Sequence, residues 1–311
     1  MAAVRNAIRP SSVSPSEDPV RQGGTVTVEL GRIGVWGRTP DWEGADGTET
    51  VAELDELGYG ALWLGMSPAD LRPHERLLAA SKRLVVASGI VNVWTEPSDV
   101  VIPAYHRVIA GYPGRFLLGV GSGHKLLVEA MTEYQYERPY SALSSYVDRL
   151  LGAENPVTRE NLALAALGPR TLRLAGERSA GAHPYLTTPE HTRQAREILG
   201  GGPLLAPEQK VVLEADPARA REIARSGLEF YLRLPNYVNN WRRLGFTEDD
   251  FADGGSDRLV DALVVWGSLD AVRRRITEHH DAGADHVCLQ VLTADSGLPR
   301  REYRILAEAL A

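Results

Sequence analysis

Cysteine is almost absent from this chain of 311 residues: Cys288 stands alone. That excludes an intramolecular disulfide framework and a cysteine-ligated zinc ribbon. It lies in the apolar run Val287-Cys288-Leu289, the setting of a buried, inert thiol. Long apolar runs are missing too. None approaches the ~18 residues that cross a bilayer, and the first two dozen residues lack the apolar core of a signal peptide. Positive charge is in deficit, with 34 Lys and Arg against 41 Asp and Glu for a net charge of −7, which argues against a surface built for a phosphate backbone. Metal and hydrolase signatures are lacking as well. There is no His-Glu-x-x-His, the adjacent His279 and His280 diverge on a helix, and no Gly-x-Ser-x-Gly elbow occurs. His74, His106 and His191 fall in or beside helical patterns and read as solvated or capping residues. What is left is a cytoplasmic globular enzyme with a small-molecule substrate, without nucleic acid, membrane or metal.

The remaining sequence divides in two. Residues 1–24 carry Pro10, Pro15, Pro19 and several serines with no apolar block, and read as a disordered extension. Residues 25–311 read as one domain. In it, short apolar runs alternate with helical patterns: residues 31–36, 60–64, 84–93, 116–120, 162–167, 180–186, 210–213 and 287–292. Most are continuously apolar, as strands buried on both faces are, which predicts a parallel sheet covered by helices.

The punctuation agrees. Thr188-Pro189 and Asp216-Pro217 place a capping side chain before a proline at the first helical position, and Ser67-Pro68 and Gly168-Pro169 follow strands in the same way. Ser268 caps a late helix; Leu57-Gly58 and Ala282-Gly283 end helices that lead into strands. Eight strands with intervening helices predict an α/β fold of the (β/α)8 TIM-barrel type, and the first turn lacks the Gly-x-Gly-x-x-Gly of a dinucleotide-binding sheet. Insertions are expected after strand four (residues 121–160) and strand seven (residues 214–286), because each connection is too long for one helix. The stretch Asn236–Arg242 in the second reads equally as a helix over the barrel mouth and as a surface helix.

Barrel chemistry sits at the carboxyl ends of the strands. After strand four comes Gly119-Val120-Gly121-Ser122-Gly123-His124, whose glycines serve a tight turn or bring backbone amides to a ligand. After strand five, Gly168-Pro169-Arg170-Thr171 opens a helix and presents free amides and a positive dipole end, suited to phosphate if it is not simply a capped helix. Strand three runs through Ser88-Gly89-Ile90-Val91-Asn92, where small residues leave room for a flat ligand or mark a bulge. Strand six ends in His183-Pro184-Tyr185.

Together these stretches, with Gly114–Gly119 and Ala282–Val287, resemble the bacterial luciferase-like barrel superfamily, and within it the oxidoreductases that use the deazaflavin coenzyme F420. The resemblance spans about residues 28–310. It implies a non-prolyl cis peptide at Gly89-Ile90 behind the deazaflavin ring. It also implies ring contacts from Asn92, Gly121, Ser122 and Gly123, and phosphate bound at Gly168, Pro169, Arg170 and Thr171. Two positions depart from the pattern. Leu64-Gly65-Met66-Ser67 lacks the histidine or acid that many relatives carry after strand two, and His124 stands where some have a glutamate.

The expected function is therefore hydride transfer between the deazaflavin C5 and a small organic substrate. His124 is the expected hydrogen-bond donor to the ring, exchanging a proton near neutral pH, with Glu96 and His183 as substrate-side proton carriers. An FMN-dependent luciferase-like monooxygenase and a non-catalytic cofactor-binding barrel are the alternatives. The resemblance further implies a homodimer, paired through the helix that carries Tyr105, Val108 and Ile109.

Overall fold

The apolar runs form short strands because every second residue has a place on each side of the sheet. In the computed structural model, which describes residues 28–310, the strands are β1 (Ile33–Arg38), β2 (Ala61–Gly65), β3 (Val85–Ser88), β4 (Val91–Asn92), β5 (Phe116–Gly121), β6 (Leu162–Leu164), β7 (Gly181–Ala182), β8 (Leu204–Leu205), β9 (Glu208–Val212), β10 (Val264–Trp266) and β11 (Val287–Val291). All five residues of β2 are buried. Leu62 and Leu64 face outward and join Val35, Val86, Leu118 and Leu289 beneath the helices. Ala61 and Trp63 face inward and meet Trp36, Val85, Ala87, Leu117, Ala163, Ala206 and Cys288. Small residues opposite two tryptophans are what let so narrow an interior fill without voids.

Every strand pair is parallel, in the order β10-β9-β11-β1-β2-β3-β5-β6-β7-β8, with β4 beside β5. β8 and β9 are halves of one strand interrupted at Ala206-Pro207, and this strand closes the sheet. On one side Leu204 and Ala206 donate to the carbonyls of Ala180 and Ala182; on the other, Leu205 and Pro207 accept from Asp285 and Cys288. The sheet thus curls back on itself into an α/β barrel with helices outside.

Thr188, Asp216 and Ser268 cap their helices through the amides of His191, Arg219 and Ala271. Between β5 and β6 lie helices Lys125–Met131 and Pro139–Leu151. Between β9 and β11 lie several, among them Pro217–Leu228, Pro235–Arg243 and Leu269–Asp281. Among the described residues no helix is long and apolar enough to cross a membrane, and no cluster of candidate metal ligands occurs. The extension assigned to residues 1–24 lies outside the described residues.

The structure corrects several expectations. The third run, read over residues 84–93, splits into β3 and β4 at Gly89-Ile90, where a bulge with a cis peptide was expected. The seventh begins well before Lys210, its inward-facing charges having disguised it, and β10 was not anticipated, since Val264–Trp266 directly continues a helix, Asp257–Leu263, of similar apolar character. Ser67-Pro68 caps no helix; Ser67 is buried against His74, and the helix starts only at Arg72. His74 and His191 are buried rather than solvated. Tyr105 and Val108 are fully buried and the partly buried Ile109 packs on the same core, so these side chains pack within the protomer.

Asp55 joins helix Gly44–Glu56 to the entry of β3, accepting from the amides of Lys82 (2.8 Å), Arg83 (3.1 Å) and Leu84 (2.8 Å). Burial alone would raise its pKa, but these amides and the Arg83 charge outweigh it and hold the carboxyl below its usual range. A depressed folded-state pKa contributes stability above the unfolded value near ~3.9, which is lost as pH falls through the folded value. Asp55→Asn is therefore expected to lose about 1–3 kcal/mol at neutral pH, with the gap to wild type closing below about pH 4. Urea midpoints across that range measure it.

Candidate active site

The candidate site is built where β3 stops. Ser88 ends the strand with its hydroxyl inserted against β5, accepting from the Gly119 amide at 2.7 Å and donating to the Gly119 carbonyl at 2.9 Å. The next peptide, Gly89-Ile90, is cis. A Cβ on Gly89 would lie 3.2 Å from both Trp36 Nε1 and His183 Nε2, so two ring nitrogens converge on the space its missing side chain leaves. Ile90 then packs against Gly121, where a Cβ would stand 3.2 Å from Ile90 Cγ1 and 2.8 Å from Ala165 Cβ. Gly123, at φ +59°, lies where a Cβ would meet Asn92 Nδ2 at 2.4 Å, so the left-handed turn and the close approach both demand glycine. Asn92 turns the chain by accepting from the Trp94 amide at 3.1 Å. Ser122 accepts from the Tyr136 hydroxyl, which also reaches the Gly123 carbonyl. Gly89, Ile90, Asn92, Gly121, Ser122 and Gly123 are thus brought onto one wall.

His124 follows directly. Its carbonyl accepts from Leu127 and Val128, while its ring packs near Tyr237 (5.5 Å between centroids), Phe230 (6.3 Å) and Tyr231 (6.4 Å). Burial among these rings pulls its pKa down to about 4. Burial leaves the imidazole neutral at pH 7, against the expectation that it exchanges a proton there. His183 is neutral for the same reason, its pKa also lowered to about 4 by burial. It stacks on Trp63 at 4.2 Å and 13°, and its Nδ1 lies 2.7 Å from the Ala206 carbonyl. That contact assigns the proton to Nδ1 and leaves Nε2 an acceptor. Glu96 is elsewhere: its carboxylate accepts from the Ala69 amide at 2.6 Å and from Thr95 Oγ1 at 3.1 Å, fastening the loop after β2 to the loop after β4.

Helix Pro169–Arg178 opens on Gly168, which offers no capping side chain, and Pro169 has no amide of its own. The first-turn amides of Arg170 and Thr171 have no intrahelical partner. Arg170 lies over the Tyr140 ring at 4.2 Å. Arg243, which the sequence did not single out, brings Nη2 to 3.7 Å from where a Gly168 Cβ would be.

A family model described as luciferase-like monooxygenase matches residues 26–286. The chain belongs to this family. Among its relatives is a Mycobacterium tuberculosis protein named as a candidate coenzyme F420-dependent oxidoreductase, 22% identical, with 88% of this chain and 97% of that one covered. Two solved structures share the fold at low identity. An F420-dependent secondary alcohol dehydrogenase, in complex with an F420-acetone adduct, superposes with a TM-score of 0.69 at 14% identity, covering 91% of this chain and all of that one. The oxygenating constituent of the 3,6-diketocamphane monooxygenase of Pseudomonas putida, in complex with FMN, gives a TM-score of 0.60 at 15% identity, covering 90% and 98%.

In this luciferase-like barrel one constellation escaped the sequence reading. Glu208, Lys210 and Gln290 all face inward from β9 and β11, Lys210 and Gln290 being paired in register. The fully buried Lys210 ammonium lies 3.3 Å from Glu208 and donates to the Tyr185 hydroxyl at 2.8 Å and to Gln290. Tyr185 reaches Gln290 at 2.7 Å and the Tyr231 hydroxyl at 2.9 Å. Burial pushes Glu208 up and Lys210 down in pKa, each charge opposing the shift of the other. The available signal was Glu208 and Lys210 two residues apart beside an apolar run, since in a strand that spacing puts both on one face.

Proposed function

We propose that the cleft binds coenzyme F420 and that the protein moves a hydride between the deazaflavin C5 and a small organic substrate. One observation carries this reading: Trp36 Nε1, Trp94 Nε1, His124 Nδ1 and His183 Nε2 are buried without hydrogen-bond partners on the segments that form the cleft. Leaving such groups unpaired costs about 1–3 kcal/mol each, and a flat ligand with a polar edge would satisfy them once the side chains that now cover them part. Ile90 and the glycines at 89 and 121 supply the flat wall, and the amides of Arg170 and Thr171, with Arg170 and Arg243 nearby, suit its phosphate. When bound, the coenzyme supplies a two-electron hydride site. The chain's own residues orient the ring, exclude water and hydrogen-bond its edge, with His124 acting as a neutral donor or acceptor.

A flat ring carrying a phosphate also describes FMN, which the P. putida relative holds. Fluorescence titration of the purified protein separates the two: tight binding of F420 is expected, and tight binding of FMN alone overturns the reading. In the same titration Gly168→Leu is expected to weaken F420 about tenfold or more, equal to about 1.4 kcal/mol, by blocking the approach to the amides. Arg170→Ala should cost only a few-fold. Equal affinity in both variants puts the phosphate elsewhere.

A further inference from the structure

We propose that Tyr231 exchanges the proton with the oxygen of a ketone or secondary alcohol substrate, and that Tyr185, Lys210 and Glu208 form the relay behind it. The relay has a buried end and an open end. Lys210 and Glu208 are fully buried, whereas Tyr185, Tyr231 and Gln290 are only partly buried. The Tyr185 hydroxyl is saturated by Lys210, Gln290 and Tyr231. The Tyr231 hydroxyl has Tyr185 as its one side-chain partner among the described residues and keeps capacity for a ligand. It sits in the short helix Tyr231–Arg233, beside Phe230, His124 and Tyr237, so the group it meets is an oxygen on an otherwise apolar or aromatic molecule.

The hydrogen bonds run in either direction. In the structure Tyr185 donates to Gln290 Oε1 and therefore accepts from Tyr231; because Gln290 Oε1 also accepts from Lys210, the Tyr185 proton can turn away from it to Tyr231. In the first arrangement Tyr231 donates inward and presents a lone pair to a substrate hydroxyl. In the second it receives from Tyr185 and donates outward to a carbonyl. These are the two states that the two directions of a carbonyl–alcohol reaction need. In reduction, the carbonyl carbon takes a hydride with its electron pair and the oxygen takes the Tyr231 proton. Tyr231 recovers a proton from Tyr185 and Tyr185 from Lys210; the lysine is left neutral beside Glu208 until, with the product gone, a proton from solvent enters at Tyr231 and returns along the same path. Oxidation is the reverse. Only the hydride step rests on the F420 reading; the proton path does not.

The test uses para-dimethylaminobenzylideneacetone, a ketone whose absorption moves to longer wavelength when its carbonyl accepts a strong hydrogen bond. The full chain, without coenzyme, is expected to bind it with a red-shifted band. Tyr231→Phe should abolish the shift while keeping wild-type F420 affinity. Tyr185→Phe should shrink it, and so should the paired Glu208→Gln/Lys210→Met variant, which leaves no lone buried charge to unfold the barrel. With reduced F420 present, Tyr231→Phe should slow reduction of the ketone about 10²–10⁴-fold. An unshifted band in wild type, or a shift that survives Tyr231→Phe, overturns the proposal. A shift lost in Tyr231→Phe from a protein that binds no F420 sustains the tyrosine assignment and defeats the coenzyme reading instead.

Discussion

Lys210→Met is expected to lower the unfolding free energy by about 3–5 kcal/mol, because it strands the Glu208 carboxylate in the barrel interior without its cation. Both side chains are entirely inaccessible, and among the described residues the carboxylate's one other hydrogen bond comes from the Leu186 amide at 2.9 Å. The loss is therefore mostly the penalty of an uncompensated buried charge rather than the worth of the pair. Glu208→Gln with Lys210→Met tests that distinction. With no charge left in the interior, the double variant should recover a large part of the loss, whereas independent effects would add. Urea denaturation of the two single variants and the double variant forms the cycle. If the double variant is as unstable as the sum of the singles, the pair is not coupled in the way its 3.3 Å separation implies.

Ser88→Ala is the second large effect. The hydroxyl both receives from the Gly119 amide and donates to the Gly119 carbonyl, replacing a ladder rung where the chain leaves the sheet at Gly89. Removing it orphans two buried backbone groups, at about 1–3 kcal/mol each, so a total of about 2–6 kcal/mol is expected. Backbone repair from the other side is blocked: a Cβ on Gly119 would stand 2.0 Å from the Ser88 carbonyl oxygen, which shows how closely the strands already approach. Since Ser88 immediately precedes the cleft wall, F420 affinity should fall together with stability, read by titration at a temperature where the variant remains folded. A stable variant with weakened binding would mean that the serine shapes the wall alone. A stable variant with full affinity would show that the rung is dispensable.

Much of the barrel could be read from residue order. Continuous apolar runs, Thr188, Asp216 and Ser268 as helix caps, and glycines at 58 and 283 each act through local physics: burial on both faces, an amide satisfied three residues on, a left-handed turn. The glycine wall was legible for the same reason, since Gly121 and Gly123 lie within a few residues of the turn that needs them. What residue order did not reveal was whatever depends on partners far along the chain. Glu208 and Lys210 look like surface charges until β11 sets Gln290 in register opposite and Tyr185 and Tyr231 arrive from two other segments. His124 has an ordinary imidazole pKa until Phe230, Tyr231 and Tyr237 close over it and remove its water. Glu96 looks like a proton carrier until Ala69 claims its carboxylate. The helix with Tyr105 and Val108 shows an apolar face, but only packing decides whether that face meets a second copy or its own core, and here it meets the core. Local propensity and periodicity are written in neighbouring residues. Burial, desolvation and hydrogen-bond partnership at the site depend on contacts between residues more than a hundred positions apart, and only the folded chain determines them.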